Sequence, residues 1–226
     1  MELERLVIQI GKENVEKIKN TTVLILGLGG VGGYALEGII RSGVESVVIA
    51  DADTIEVSNL NRQIIALHST LGAKKVDAFE KRILDINPNV KIKKIDCFIT
   101  EQNLSLLFEK SIDYVIDACD TISTKIALIK YCVQHKIPFI SCMGMGRKLD
   151  ITKIRIMDIR KTSYDPIAKI IRKAIRDANI TDSIPVISST EQPLEAKNGI
   201  ISSNSFVPAV AGLTCTSYII KQIIGG

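Results

Sequence analysis

The chain is 226 residues long, 46% hydrophobic and 24% charged, with a formal net charge of +4. That length buries one substantial core and falls short of two independent domains. The mildly basic balance permits nucleic acid as a partner without demanding it. Five widely spaced cysteines (Cys97, Cys119, Cys132, Cys142 and Cys215) include no CxxC pair, which argues against a disulfide framework and for reduced intracellular thiols. The first twenty residues carry Glu2, Glu4, Lys12, Glu13, Glu16 and Lys17 and no long apolar run, so no signal peptide is expected and the expected location is cytoplasmic.

Taken in chain order, apolar β-branched runs at 22–26, 44–50, 90–95, 112–116, 137–140 and 154–156 predict six short strands. Helix signals fall between them at 31–41, 72–86, 101–109 and 123–135, with Gly43 placed as a stop after the first. This alternation predicts an α/β fold: a Rossmann-type, mostly parallel sheet with helices on both faces and a small C-terminal extension. Residues 165–178 put Ile167, Ile170, Ile171, Ala174 and Ile175 on one helical stripe and Lys169, Arg172, Lys173 and Arg176 on another, which predicts an amphipathic basic helix. Residues 179–204 are irregular apart from a strand-like 186–188. The whole of 1–226 reads as a single domain in which 160–204 form a substrate-facing insertion. The late apolar stretch 206–224 contains Pro208, Thr214, Thr216, Ser217, Lys221 and Gln222, so a packed helix is expected there and no membrane span.

The run VLILGLGGVGG at 23–33 places a glycine-rich turn between a buried strand and a helix, where missing Cβ atoms let the backbone approach phosphate. Gly27, Gly29 and Gly32 match the GxGxxG spacing, and the amides that open the next helix favour an anion. About twenty residues on, the next strand ends in Asp51-Ala-Asp53, where Asp51 is the candidate for a ribose hydroxyl; strand termination or turn capping is the bland reading of either aspartate. Up to this point a nicotinamide dehydrogenase reads the same. The run Asn59-Leu-Asn-Arg62-Gln63, followed by Lys75, separates the two, because attack on a nucleotide α-phosphate needs cations to offset charge and hydride transfer does not. Taken singly, Arg62 is also readable as a surface cation and Lys75 as half of a solvated lysine pair. In Asp117-Ala-Cys-Asp120, after another strand, Asp120 is expected at the same sheet edge, where it suits magnesium or merely caps the strand. His68 and His135 have no metal-like or triad-like neighbours in sequence and read as structural or surface residues.

These motifs, in this order, resemble the ubiquitin-activating-like superfamily represented by ThiF and MoeB: Gly27-x-Gly29-Gly30-x-Gly32, Asp51-x-Asp53, Asn59-x-x-Arg62-Gln63, Lys75 and Asp117-x-x-Asp120. In that superfamily the equivalents of Asp51, Arg62, Lys75 and Asp120 surround ATP. The resemblance therefore implies an ATP and Mg2+ site that adenylates a carboxylate and releases pyrophosphate. It also implies a homodimer in which Arg5 completes the partner's site. More narrowly, Asn61-Arg-Gln-Ile64 with Ala66-Leu-His68, the run RILDINP at 82–88, Lys161-Thr-Ser-Tyr-Asp-Pro166 and Ser188-Ser-Thr-Glu191 resemble the tRNA threonylcarbamoyladenosine dehydratase family, TcdA or CsdL. That family's activity would be activation of the threonyl carboxylate of a modified adenosine beside the tRNA anticodon, with ring closure and net loss of water.

On this reading the basic stripe Lys169, Arg172, Lys173 and Arg176 faces tRNA phosphates, although a solvated helix face explains it equally. The chain lacks the two CxxC pairs that hold structural zinc in ThiF and MoeB relatives, so no structural zinc is expected. No cysteine lies between Cys142 and Cys215, where a thioester- or persulfide-forming relative places its nucleophile. That weakens the alternative of an adenylyltransferase for the C-terminal glycine of a ubiquitin-like sulfur carrier, and sulfur-transfer or redox proteins are left as accessory partners. A noncatalytic nucleotide-binding scaffold is the second alternative.

Overall fold

The computed structural model describes residues 3–196 and 201–225. Two N-terminal helices, α1 (Glu4–Ile10) and α2 (Lys12–Lys19), precede β1 (Thr22–Leu26), α3 (Gly32–Arg41) and β2 (Ser46–Ala50). The chain continues through α4 (Lys75–Ile86), β3 (Lys91–Ile95), β4 (Tyr114–Asp117), α5 (Ile122–Gln134), β5 (Phe139–Cys142) and β6 (Ile154–Asp158). It ends with α6 (Pro166–Asp177), β7 (Pro185–Ser189) and α7 (Phe206–Ile223). Among the described residues one seven-stranded sheet has the order β3-β2-β1-β4-β5-β7-β6, and every pairing is parallel except that of β6 with β7.

The central strands are nearly continuous Val, Ile and Leu because both of their faces are covered. On one face Leu36 and Ile39 of α3, Phe79 of α4 and Cys215 and Ile219 of α7 pack on Val23, Ile25 and Ile116. On the other, Leu128 and Cys132 of α5 and Ile171 and Ile175 of α6 pack on Leu24, Val115 and Val186. The edge strand β3 reads KIKKI, and two of its three lysines are engaged outside the ladder: Lys93 with Glu109 at 2.6 Å, Lys94 with Asp77 and Glu80 at 2.7 Å each. A lysine-bearing edge discourages pairing with a second sheet. Helices α3 and α4 are tied through Glu37, which accepts from Arg82 at 2.7 and 3.1 Å and from Arg41 at 2.7 Å.

Three elements differ from the sequence reading. Residues 101–109 form a 3-10 helix over Leu104–Phe108 instead of an α-helix, since its buried residues Leu104 and Leu107 recur at the three-residue period. The core stripe of α6 is Ala168, Ile171 and Ile175, while Ile170 is 47% exposed. The charged sequence 3–20 hides two short helices, because only Val15 and Ile18 of that stretch reach the core. Within 160–204, α6 and β7 are integral to the sheet and its covering layer, and β7 runs between β5 and β6. Helix α7 has the length and composition of a membrane span; here it packs along α3, where Thr216 Oγ1 donates to Ala35 O at 2.9 Å.

Candidate active site

Strands β1, β2 and β4 end at one edge of the sheet, and the loops that follow them meet there. Gly27 has φ +87°, and a Cβ at this position would lie 2.8 Å from the Ala118 backbone. A Cβ at Gly32 would come within 1.7 Å of Gly27 O, so the first turn of α3 closes on the loop only with glycine at both ends. The close approach is held by Gly27 N donating to Ala50 O at 2.8 Å and Ala118 N to Leu26 O at 2.9 Å. Asp51 ties the turn to the second strand, accepting from Leu28 N at 2.6 Å and from Asp53 N at 2.9 Å.

These loops enclose an open, mainly polar cavity of about 570 Å3. Of the sequence candidates, Gly27, Gly29, Asp51, Asp53, Asn59, Arg62, Gln63, Lys75 and Asp120 line it. Gly30 and Gly32 lie behind the wall, Gly30 between Pro208 and Arg62. Arg5 is exposed on α1, outside the cavity of its own chain. On α6, Lys169, Lys173 and Arg176 are exposed, whereas Arg172 is half-buried and donates to Thr162 O at 3.1 Å and to Thr162 Oγ1. The four residues are therefore not one uniform solvent stripe.

Inside the cavity, Lys75 is 4% exposed, with Nζ 2.7 Å from Asp53 and 3.6 Å from Asp51. Arg62 is anchored through Nη1, which donates to Ser58 O at 2.7 Å and Asn61 Oδ1 at 3.0 Å. Among the described residues its other nitrogens make no hydrogen bond. Asn59 shapes the preceding turn by accepting from Glu56 N at 3.0 Å. The buried Gln63 Oε1 has no partner among the described residues. An orphaned acceptor on the wall of a polar cleft fits a ligand that brings a donor.

Asp120 stands exposed on the loop after β4, and that loop rests on a buried pair. Lys125 Nζ lies 3.0 Å from Asp117 Oδ2, both side chains 1% exposed, and Ser141 Oγ donates to the same oxygen at 2.5 Å. Burial alone would lower the Lys125 pKa, but the Asp117 charge outweighs it and the net shift is upward. Cys119 lines the same cavity, and burial together with Asp117 pushes its thiol well above the ordinary range, so it is a poor nucleophile. Among the described residues no group of three or more His, Cys, Asp or Glu side chains gathers as a metal cage. A lone carboxylate, that of Asp120, would suit a hard cation that drew its remaining ligands from elsewhere.

Several lining residues carried no signal in the sequence, Phe98 and Thr124 among them. Phe98, 59% exposed, stands at the rim after β3, and Thr124 seals the floor by donating to Ile99 O at 2.7 Å. Neither belongs to a motif with fixed spacing, and only the order of the strands brings them to the glycine turn.

An open, mostly parallel sheet with a polar crevice at the point where strand order reverses, between β1 and β4, defines a nucleotide-binding α/β protein. The cations around that crevice mark it for phosphate chemistry. The chain belongs to the ThiF family, whose profile matches residues 3–225. It is 41% identical over 232 residues to a tRNA threonylcarbamoyladenosine dehydratase of Bacillus subtilis, covering 95% of this chain and 91% of the relative. The crystal structure of Escherichia coli tRNA N6-threonylcarbamoyladenosine dehydratase, TcdA, in complex with ATP superposes with a TM-score of 0.94 at 29% identity, covering 99% of this chain and 94% of that one. The same enzyme in complex with AMP gives 0.92 at 30% identity, covering 97% and 92%.

Proposed function

We propose that this chain is an ATP-dependent tRNA threonylcarbamoyladenosine dehydratase, which adenylates the threonyl carboxylate of the modified nucleoside and lets it cyclise. The observation that carries the reading is the cavity beside the glycine turn, where Arg62, Lys75 and Asp120 converge, in a chain similar over nearly its whole length to relatives of that name. Two anions must meet for a carboxylate to attack an α-phosphate, so the protein's task is positioning and neutralisation. The backbone of the glycine turn receives the phosphates, Asp51 the ribose, and Phe98 offers a face to the base. Arg62 and Lys75 offset the charge that builds on the α-phosphate and the departing pyrophosphate, and Asn59 and Gln63 hold the arginine loop and the nucleotide. Magnesium, when bound, would be held by Asp120 and would supply further charge compensation to the phosphates.

A carboxylate oxygen forms the new bond to the α-phosphorus as the bond to pyrophosphate breaks. The neighbouring carbamoyl group then attacks the activated carbonyl, loses a proton, and AMP departs with that oxygen. The net change is loss of water from the nucleoside, with no covalent enzyme intermediate. The step balances without sulfur or electrons, which makes sulfur-transfer or redox proteins accessory partners at most. Further parts of the reading are a homodimer in which Arg5 reaches the partner's ATP, tRNA on the outer face of 160–204 where Lys169, Lys173 and Arg176 stay exposed, and a cytoplasmic setting. The test is incubation with ATP and threonylcarbamoyl-modified tRNA, followed by nucleoside mass analysis. Loss of one water with formation of AMP is expected. Exchange of labelled pyrophosphate into ATP only with a carrier protein's C-terminal glycine would replace this reading by the adenylyltransferase one, and no exchange with any carboxylate would favour a scaffold.

A further inference from the structure

Three lysines are buried among the described residues: Lys75 at 4%, Lys125 at 1% and Lys148 at 2% exposure. The first two are ion-paired, with Asp53 and Asp51 and with Asp117 respectively. Among the described residues Lys148 Nζ has no hydrogen-bond partner and no ion pair. The acids of its surroundings make their hydrogen bonds to main-chain amides. Asp165 accepts from Gly144 N at 2.9 Å and Ala168 N at 3.0 Å, and Glu191 from Leu149 N at 2.9 Å and Asp150 N at 2.9 Å. Burial holds the Lys148 pKa below the ordinary lysine range despite the pull of Asp165, Cys142 and Glu191.

Its main chain is tied through the 203–204 segment to the arginine loop of the cavity, whose lining it does not join. Lys148 follows β5 at the carboxyl edge of the sheet, and its carbonyl accepts from Asn204 Nδ2 at 2.7 Å. Asn204 in turn accepts from the amides of Phe206 and Val207 where α7 begins. One residue earlier, Ser203 O accepts from Asn61 Nδ2 at 3.1 Å, beside Arg62. Pro208 then packs at Gly30. The chain from 203 to 208 thus bridges Lys148 and the glycine turn. A second orphan occupies the same edge: the buried Ser188 Oγ, at the carboxyl end of the adjacent β7, also lacks a partner among the described residues.

A desolvated cation that no carboxylate contacts among the described residues, on a segment tied to the arginine loop of a site where an anion must approach a triphosphate, suits that anion. We propose that Lys148 binds the carboxylate of the acyl substrate as an ion pair and delivers it toward ATP, with Ser188 supplying a hydroxyl at the same end of the sheet. This deepens the functional reading above and rests on it. Arg62 and Lys75 serve the phosphates, while Lys148 distinguishes a substrate bearing a free carboxylate from the unmodified nucleoside.

The test compares wild type with Lys148→Met in dehydration of threonylcarbamoyl-modified tRNA, with affinities for ATP and for unmodified tRNA measured alongside. The expected result is a KM for the modified tRNA raised about 30-fold, unchanged ATP and unmodified-tRNA affinities, and a thermal midpoint equal to or above wild type. Should the methionine variant not fold, Lys148→Gln carries the same measurements. A KM within twofold of wild type, or equal losses for modified and unmodified tRNA, overturns the proposal. Wild-type protein unable to dehydrate the modified tRNA overturns the functional reading and this inference with it, whereas an active wild type with an unaffected variant overturns the inference alone.

Discussion

The two halves of the sheet solve different electrostatic problems. In the half β3-β2-β1-β4 the buried cations are matched by acids already in the protein: Lys75 has Asp53 and Asp51, and Lys125 has Asp117. In the half β5-β7-β6 the acids nearest Lys148, Asp165 and Glu191, bond to main-chain amides, and among the described residues Lys148 Nζ and Ser188 Oγ have no hydrogen-bond partner. The buried lysines of the first half are therefore neutralised without substrate, and its open valences among the described residues are Gln63 Oε1 and the remaining Arg62 nitrogens. The second carries an unmet demand for negative charge, and unpaired buried charge costs several kcal/mol on general grounds. A fold keeps such a defect only where something repays it.

The comparison breaks most readily at Arg62. Replacement by alanine is expected to slow pyrophosphate release roughly 10³-fold, as for charge-stabilising arginines in other phosphoryl enzymes; near-normal turnover would place the phosphate-facing charge elsewhere. Next, Lys125→Met leaves Asp117 buried without its counter-ion and should cost about 3 to 5 kcal/mol in denaturant unfolding. The same substitution at Lys148 should cost no stability, so equal losses at both lysines would erase the distinction between the halves. On the outer face, replacing Lys169, Lys173 and Arg176 together by alanine should flatten the slope of log K against log salt for tRNA binding by about 2 to 3 units. An unchanged slope would clear α6 of phosphate contact. Arg172, bonded to Thr162, is left out of that variant because its loss would disturb the fold as well.

The smallest effect concerns pH. At Glu37 burial raises the carboxyl pKa, but hydrogen bonds from Arg82 and Arg41 outweigh it and the net shift is downward from 4.5. A lowered native pKa contributes stability that is complete above the unfolded value and is lost as pH falls through the native one. Glu37→Gln should therefore lower stability by about 1 kcal/mol at pH 7, with the gap closing below pH 4.5. A gap that persists at low pH would mean the interaction is steric packing of α3 on α4.

The nucleotide half was legible because its signals are local. The glycine spacing, the acidic strand end and the Asn59 to Gln63 run are each short in sequence and fixed by the turn they make. The second half was not, since its logic is one of distribution. Nothing in the run GMGRKLD marks Lys148 as buried, and whether a lysine has a counter-ion depends on Asp165 and Glu191, which come from segments 17 and 43 residues away (165 − 148 and 191 − 148) and face main-chain amides instead. Helix existence in α6 followed from periodicity, yet the exposed side of Ile170 did not, because β7 and α5 choose which apolar residues they cover. The two N-terminal helices escaped notice for the opposite reason: they are mostly solvated and leave almost no apolar period.

Pro208 seats against Gly30, and Thr216 of α7 hydrogen-bonds the backbone of α3 at Ala35. During synthesis the glycine turn leaves the ribosome long before the helix that braces it. A nascent chain stalled before α7 would thus carry every glycine of the turn and still hold it without that support, so the shape of the crevice becomes a property acquired late in translation.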